Sequence, residues 1–365
     1  MEPIRILHIV PNMNNGGIEN LIMNLYRNID RSLVQFDFLV HYKKRCFFDD
    51  EIEKLGGKIY RFSVCEDYNL IKYKRQVSSF FREHPEYKVV HGHMASLAYF
   101  YLGAAKKNGV KIRIVHSHGT SHLKNLKGYI KYVLFKGAKK NANVYYACST
   151  EAGKYLFGNK KFEFIPNAID LEKYDYNEEI RKQTRNQLKI KKNTLVLINV
   201  ARFNLQKNHI YLIEIFKELK KLNNDSILLL AGDGETRNDI ESKIKEYNLE
   251  DSVYLLGVRS DVDKLYQASD IFILPSLFEG LPVTGVEAQA SKIKCFFSSE
   301  ITREVIISEN THFISINEKP SVWAKEIVKN MNYDRKNQVI EANDFNIKTL
   351  SKNMELKYIS FYNEQ

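Results

Sequence analysis

The sequence predicts an α/β chain made of two Rossmann-like domains, each a parallel sheet flanked by helices. Three observations carry this. Short β-rich runs alternate with helical-period segments nearly throughout, the pattern of parallel sheets covered by helices. The alternation is interrupted once, by the polar stretch 175–193, and then starts again. Finally, 365 residues are long for one α/β core and comfortable for two.

In chain order, residues 4–10 read as a buried first strand, closed by Asn14-Asn15-Gly16-Gly17. Ile18, Leu21, Ile22, Leu25 and Tyr26 then fall on one face of a helix. Further strands are expected at 36–40, 58–62, 89–91, 113–116 and 144–147, with helices between most of them. A strand ends at Pro166-Asn167, and the second series begins at 195–200. It continues through 227–231, 253–256, 271–274 and 294–297. Leu350, Met354, Tyr358 and Phe361 give a last helix over 345–362. The expected domains are therefore 1–175, 190–343 and a terminal helix within 344–365. A ligand cleft is expected between the halves, at the strand carboxyl ends.

Composition excludes several classes. Hydrophobic residues at 44% and charged residues at 27% exclude a disordered chain. No apolar run approaches the roughly 20 residues of a membrane span. The start of the chain has no basic segment or cleavage site, so the expected location is the cytoplasm. Four cysteines without Cys-x-x-Cys spacing read as reduced thiols. The net charge of +11 is one-sided: residues 1–150 hold 24 Lys+Arg against 12 Asp+Glu, the rest 31 against 32. A basic half suits anionic partners such as phospholipid, a lipid diphosphate or nucleic acid.

The strongest constellation is Leu274-Pro275-Ser276-Leu277-Phe278-Glu279-Gly280-Leu281-Pro282-Val283-Thr284-Gly285-Val286-Glu287-Ala288, a strand, a loop and a helix start. Carboxylates such as Glu279 and Glu287 accept from paired hydroxyls, as a sugar or ribose presents them. Gly280 admits a close ligand, and the helix N-terminus favours anions. Either glutamate alone is as well explained by the helix dipole. Upstream, Arg202 and Lys207 follow a strand, where a diphosphate would need neutralising, although two basic loop residues are commonly just solvated. Ala231-Gly232-Asp233-Gly234-Glu235 is a tight strand-to-helix turn lacking the full dinucleotide fingerprint. Gly257-Val258-Arg259 closes another strand at the same edge.

In the first half, Gly16-Gly17 open a helix whose N-terminus could admit phosphate or sugar. Glu19 reads as a dipole complement. His91-Gly92-His93 and His116-Ser117-His118-Gly119 put two histidine clusters at strand ends; a zinc site competes with an active-site face, without carboxylate or thiol partners nearby. Asp261-Val262-Asp263 reads as a helix N-cap rather than a metal pair, and no required metal is expected. Lys124, Lys127 and Lys131 form a basic stripe on a helix, either a solvated face or a contact with anionic membrane.

Together these residues resemble glycosyltransferase family four, the retaining GT-B enzymes with an E-x7-E motif. Glu279 to Glu287, the Gly-Gly loop, His118-Gly119, Pro166-Asn167-Ala168-Ile169-Asp170, and Arg202 with Lys207 appear in that family's order, spanning essentially the whole chain. The resemblance implies two Rossmann-like domains facing each other across a cleft, with the last helix crossing back to the N-terminal domain. It implies that Arg202 and Lys207 hold the donor diphosphate and that Glu287 accepts from the ribose. Glu279 would contact the donor sugar, with the N–H groups of Gly280, Leu281 and Val283 beside it. Gly257, Val258 and Arg259 would flank the base, Gly16 and Gly17 would lie by the diphosphate, and His118 would face the transferred sugar. It further implies metal-independent transfer with retention, no cofactor, and a nucleotide-sugar substrate, expected to be a UDP-sugar. The first-half loop is most similar to members that build capsular or exopolysaccharides. The expected acceptor is therefore lipid-linked, and the expected place is the inner membrane face, held peripherally by the basic half. A soluble or simple glycolipid acceptor is the alternative. A silent scaffold or a nucleic-acid-binding protein belongs to a different class; no nucleic-acid signature supports the latter.

Overall fold

The computed structural model describes residues 2–62, 69–119, 133–134 and 136–364, the side chains of 95 and 96 aside. The chain divides into two compact units: residues 1–168 with 344–365, and residues 169–343.

Among the described residues, the first unit holds seven strands: β1 Ile4–Val10, β2 Val34–Val40, β3 Ile59–Arg61, β4 Val89–Gly92, β5 Ile112–Ser117, β6 Val144–Ala147 and β7 Glu163–Phe164. Their order is β3-β2-β1-β4-β5-β6-β7, with every pairing parallel. β2 is buried at all seven positions, as expected for a strand covered on both faces. Both faces carry apolar clusters. One is built on Ile22, Tyr26, Phe36 and Phe38, the other on Tyr73, Phe80, Tyr101 and Leu102. The helix Ile347–Asn363 belongs to the first cluster through Ile347, Leu350, Met354 and Tyr358. It also caps the turn after the helix Gly17–Asn28, where Glu355 accepts from the Asp30 N–H at 2.7 Å.

The second unit holds β8 Leu195–Val200, β9 Ser226–Ala231, β10 Val253–Gly257, β11 Ile271–Leu274, β12 Lys294–Ser298 and β13 Thr311–Ile314. The order β10-β9-β8-β11-β12-β13 is again wholly parallel. β13 is a half-buried edge strand, which the sequence pattern does not announce. Both sheets reverse direction of growth beside their first strand, between β1 and β4 and between β8 and β11. Ligands of such sheets bind at the strand carboxyl ends at that reversal.

The first unit ends at Ala168 and not at 175. The segment that follows is tied into the second unit by side chains. Gln267 Nε2 donates to the carbonyls of Tyr174 and Asp175 at 3.0 and 3.1 Å, and Gln267 Oε1 accepts from the Asn177 N–H at 3.0 Å. The polar stretch before β8 is itself a helix, Glu178–Gln187, anchored through Arg181 and Arg185 to Asp270.

Gly232 sits at φ 148° after β9, and a Cβ there would overlap the Ala201 carbonyl; Gly234 is equally hemmed in by the Phe203 backbone. Both glycines let the β9 turn pass under the loop that carries Arg202. Gly232→Ala is expected to cost more than the roughly 1 kcal/mol of an ordinary glycine substitution, through clash and strain together. A thermal melt checks this; an unchanged midpoint would show that the turn can open.

Candidate active site at the strand carboxyl ends

In the second unit the two strands flanking the reversal deliver the polar residues. After β8 the chain makes a short 3-10 turn, Leu205–Lys207, whose cap Asn204 accepts from the Lys207 N–H at 3.0 Å. Asn208 adopts a left-handed conformation, φ 58°, and the helix His209–Leu222 begins. Asn199 fixes this arrangement from below. Its Nδ2 donates to the Ile273 carbonyl at 2.7 Å, and its Oδ1 lies 3.0 Å from His209 Nε2. Burial, with Lys207 nearby, pushes the His209 imidazole down to about 4, so it is neutral at physiological pH.

After β11 the loop is stitched to the one from β8. Gln206 Nε2 donates to the Phe278 carbonyl at 2.9 Å, and the Leu277 N–H donates to the Gln206 carbonyl at 2.8 Å. Glu279 Oε1 there accepts from Ser276 Oγ at 2.9 Å and forms an ion pair with Lys207 Nζ. The Lys207 and Glu279 side chains are only 18% and 9% exposed, so this pair is far less screened than a surface one. The helix Val283–Ala290 starts at Pro282, and its first N–H groups have no intrahelical acceptor, which favours an anion. Buried Gln289 holds that helix in place through the Gly285 and Val305 carbonyls, the Ile307 N–H and the Thr311 hydroxyl. The backbone around Gly280 is open: a Cβ placed there would meet no atom within 4 Å. Leu281 is buried beside it.

Glu287, half-buried on the same helix, accepts from Tyr174 Oη at 2.8 Å and from Tyr266 Oη at 3.2 Å. Desolvation outweighs these donors and pushes the carboxyl up to about 7. Lys173 and Asp263 are the further charges that act on it, in opposite directions. Neither tyrosine is signalled by local spacing, since they lie 113 and 21 residues from Glu287.

Other expected site residues make different contacts. Arg202 is 72% exposed and pairs with Glu235 at 3.1 Å, not with the Lys207–Glu279 pair. Gly257 has φ 66°, and Val258 is 77% exposed. Arg259 forms a two-pronged pair with Asp261 at 2.8 and 2.7 Å. That pairing corrects the capping expectation: Asp261 occupies the N-cap position of the helix Val262–Ala268, but its carboxylate makes no cap bond.

In the first unit, Gly16 caps the helix Gly17–Asn28, and the Glu19 carboxylate folds back against it. Burial raises the Glu19 carboxyl above its ordinary range. Gly17 is open. His118 Nε2 lies 2.9 Å from His93 Nδ1, so the two histidine clusters meet, and His8 of β1 joins them: its Nδ1 is 3.0 Å from His93 Nε2. His8 reads in sequence only as part of a buried strand. The basic stripe Lys124, Lys127 and Lys131 lies outside the described residues. Among the described residues, no helix is long and apolar enough to cross a membrane.

Comparison with known proteins agrees with this architecture. Residues 15–173 match the family model for Glycosyltransferase Family 4, and residues 180–345 match Glycosyl transferases group 1. EpsF of Bacillus subtilis, named as a glycosyltransferase, is 36% identical over 89% of this chain and 87% of its own. CapH of Staphylococcus aureus, named as a capsular polysaccharide biosynthesis glycosyltransferase, is 25% identical over 98% of this chain and 99% of its own. Among solved structures, a Rickettsia africae glycosyltransferase superimposes with a TM-score of 0.79 at 18% identity, covering all of both chains. Anabaena HepE, solved with UDP and glucose, gives 0.77 at 16% identity over 98% of this chain and all of its own. With two parallel α/β sheets, the E-x7-E helix and these relatives, the chain belongs to the family-four glycosyltransferases of the GT-B fold.

Proposed function

We propose that this glycosyltransferase moves a sugar, with retention and without a metal, from a UDP-sugar to a lipid-linked oligosaccharide during assembly of a cell-surface polysaccharide. The observation that carries the proposal is the Lys207–Glu279 pair at the carboxyl ends of β8 and β11, with Glu287 on the adjoining helix. Lys207 and Glu279 neutralise each other until a diphosphate competes for the ammonium. Glu279 is then free to accept from sugar hydroxyls, and Lys207 stabilises the charge that develops on the departing phosphate. The sugar–phosphate bond breaks, the acceptor hydroxyl attacks from the same face, and its proton passes to the leaving phosphate oxygen. Arg202, on the β8 loop, would leave Glu235 to add a second cation, and an exposed ion pair of this kind costs little to break.

The relatives favour the donor and acceptor classes. The Escherichia coli relative, 27% identical over 81% of this chain, is a UDP-Gal:α-D-GlcNAc-diphosphoundecaprenol galactosyltransferase. A Campylobacter jejuni relative, 32% identical over 36% of this chain, is named for a diphospho-undecaprenol acceptor. The charge excess of residues 1–150 suits peripheral attachment to anionic lipid on the cytoplasmic face.

The test is a transfer assay pairing UDP-, GDP-, ADP- and dTDP-sugars with undecaprenyl-diphosphate saccharides, with and without EDTA. Transfer from one UDP-sugar, insensitive to EDTA and giving an α-linked product from an α-linked donor, is expected. Transfer only to soluble acceptors, or loss on chelation, would refute the acceptor or the metal-free chemistry respectively.

A further inference from the structure

Three imidazoles form a hydrogen-bonded chain from the core of the first unit to the carboxyl edge of its sheet: His8 from β1, His93 at the end of β4 and His118 at the end of β5. His118 Nε2 lies 2.9 Å from His93 Nδ1, and His93 Nε2 lies 3.0 Å from His8 Nδ1. The donor chemistry proposed above gives this chain no part. We propose that His93, backed by His8, is a positioning residue for sugar transfer: it holds His118 in one tautomer, with the Nδ1 lone pair left to accept from a hydroxyl of the transferred sugar. This rests on the family-derived reading that His118 faces that sugar.

The proton count of the chain leaves two arrangements. Desolvation drives all three rings far below their ordinary range, to about 3 for His8 and His118, so each is neutral and carries one N–H. With both links made, two of the three protons lie between rings. The third sits at one end, on His8 Nε2 or on His118 Nδ1, and among the described residues both atoms are buried without a partner. Moving it from one end to the other changes the tautomer of all three rings at once, so the core end dictates what the edge end offers.

The core end favours the N–H. His8 is sealed from solvent, and its ring packs on those of Phe36 and Phe38, with centroids 4.2 and 5.8 Å away. Aromatic faces are negative, so they tolerate an N–H and repel a lone pair. Each ring then carries its proton on Nε2, which is also the nitrogen that a free neutral imidazole prefers. His118 donates to His93, His93 donates to His8, and His118 Nδ1 remains a bare acceptor. Leaving that atom unpaired is costly. Unlike His8, His118 is half-buried at the sheet edge, where a ligand can supply the missing donor.

Packing fixes the ring planes as the hydrogen bonds fix the protons. His93 stacks on His91 at 4.2 Å and 25°, and His91 Nδ1 is 2.7 Å from the Tyr358 hydroxyl. His116 lies against His118 with centroids 3.9 Å apart. The His93 backbone N–H donates to the Ile9 carbonyl at 2.9 Å, which ties the residue back to β1. An imidazole held in this way meets the sugar with neither rotamer nor proton still to be arranged.

The test is a double-mutant cycle on kcat/KM for sugar transfer, with thermal melts to establish folding. His118→Leu and His93→Leu should each lose about 5–10-fold, the usual worth of one hydrogen bond, and the double variant should be no worse than His118→Leu alone. His93→Asn, whose amide oxygen accepts where Nδ1 did, should recover most of the loss. In full-length protein carrying isotope-labelled histidine, long-range nitrogen–proton spectra should show His118 protonated at Nε2 and bare at Nδ1, and a mixture of tautomers in His93→Leu. If His93→Leu fails to fold, His8→Phe cuts the same chain at its core end and should give the same mixture. Losses that multiply in the double variant, or a wild-type His118 protonated at Nδ1, would overturn the positioning role alone. A His118→Leu enzyme that transfers like the wild type would overturn the sugar-facing reading as well.

Discussion

Lys207→Ala is expected to lower kcat/KM for sugar transfer by about 10²–10³-fold, the usual cost of removing one group that stabilises charge in a transition state. Lys207 is the cation that β8 delivers to Glu279 across the reversal of the second sheet, and it is largely shielded from solvent. Its loss should fall mainly on kcat, because the charge on the leaving phosphate grows as the bond breaks. Lys207→Arg keeps the charge but replaces a compact ammonium by a planar fork, so it should recover only part of the activity. The substitution also leaves Glu279 with Ser276 as its remaining donor, and a thermal melt separates this from a loss of fold. Arg202→Ala should cost less, since that side chain stands at the surface and reaches the site only by leaving Glu235. A Lys207→Ala enzyme with a normal melt and more than a tenth of wild-type kcat/KM would remove Lys207 from the chemistry.

Much of this was legible because it is local. Strands such as β9 and β11 are buried along their whole length, so they appear as nearly continuous apolar runs, and Gly232 marks where β9 ends. The E-x7-E helix could be read for the same reason: Glu279 and Glu287 sit on one loop and helix whose order along the chain is their order in space. What escaped is long-range. Tyr174 reaches Glu287 from a segment that sequence alone assigns to the other domain, because its bonding to Gln267 is invisible in local pattern. His8 looks like one more buried strand residue until β1 is paired with β4, which sets it beside His93. Asp261 fits a capping rule, and only the structure shows Arg259 taking its carboxylate instead. The edge strand β13 is half-exposed and short, so its pattern carries little signal.

Glu287→Gln should weaken binding of the proposed UDP-sugar donor by about 10–100-fold at pH 8, since hydrogen bonds to a charged acceptor contribute about 1.5–3 kcal/mol. The carboxyl is pushed up to about 7, so wild-type affinity should rise as pH goes from 6 to 8 and Glu287 ionises; the glutamine variant should lose that rise. A nucleotide sugar is the right probe, because the terminal phosphate of UDP itself titrates in the same range. Tyr174→Phe and Tyr266→Phe each remove a donor that holds the carboxyl down, so the limb should move to higher pH in both. Stability runs the opposite way. The folded-state value lies above the ordinary 4.5, so the native protein binds more protons between pH 4.5 and 7 and loses stability as pH rises through that window. Glu287→Gln removes this loss, and its melting midpoint at pH 8 should equal or exceed the wild type. A residue that lowers stability when ionised, yet is needed ionised to hold the donor, belongs to the binding machinery and not to the core. Unchanged affinity with a raised midpoint would reverse that conclusion, and would make Glu287 a half-buried acid with no ligand to serve.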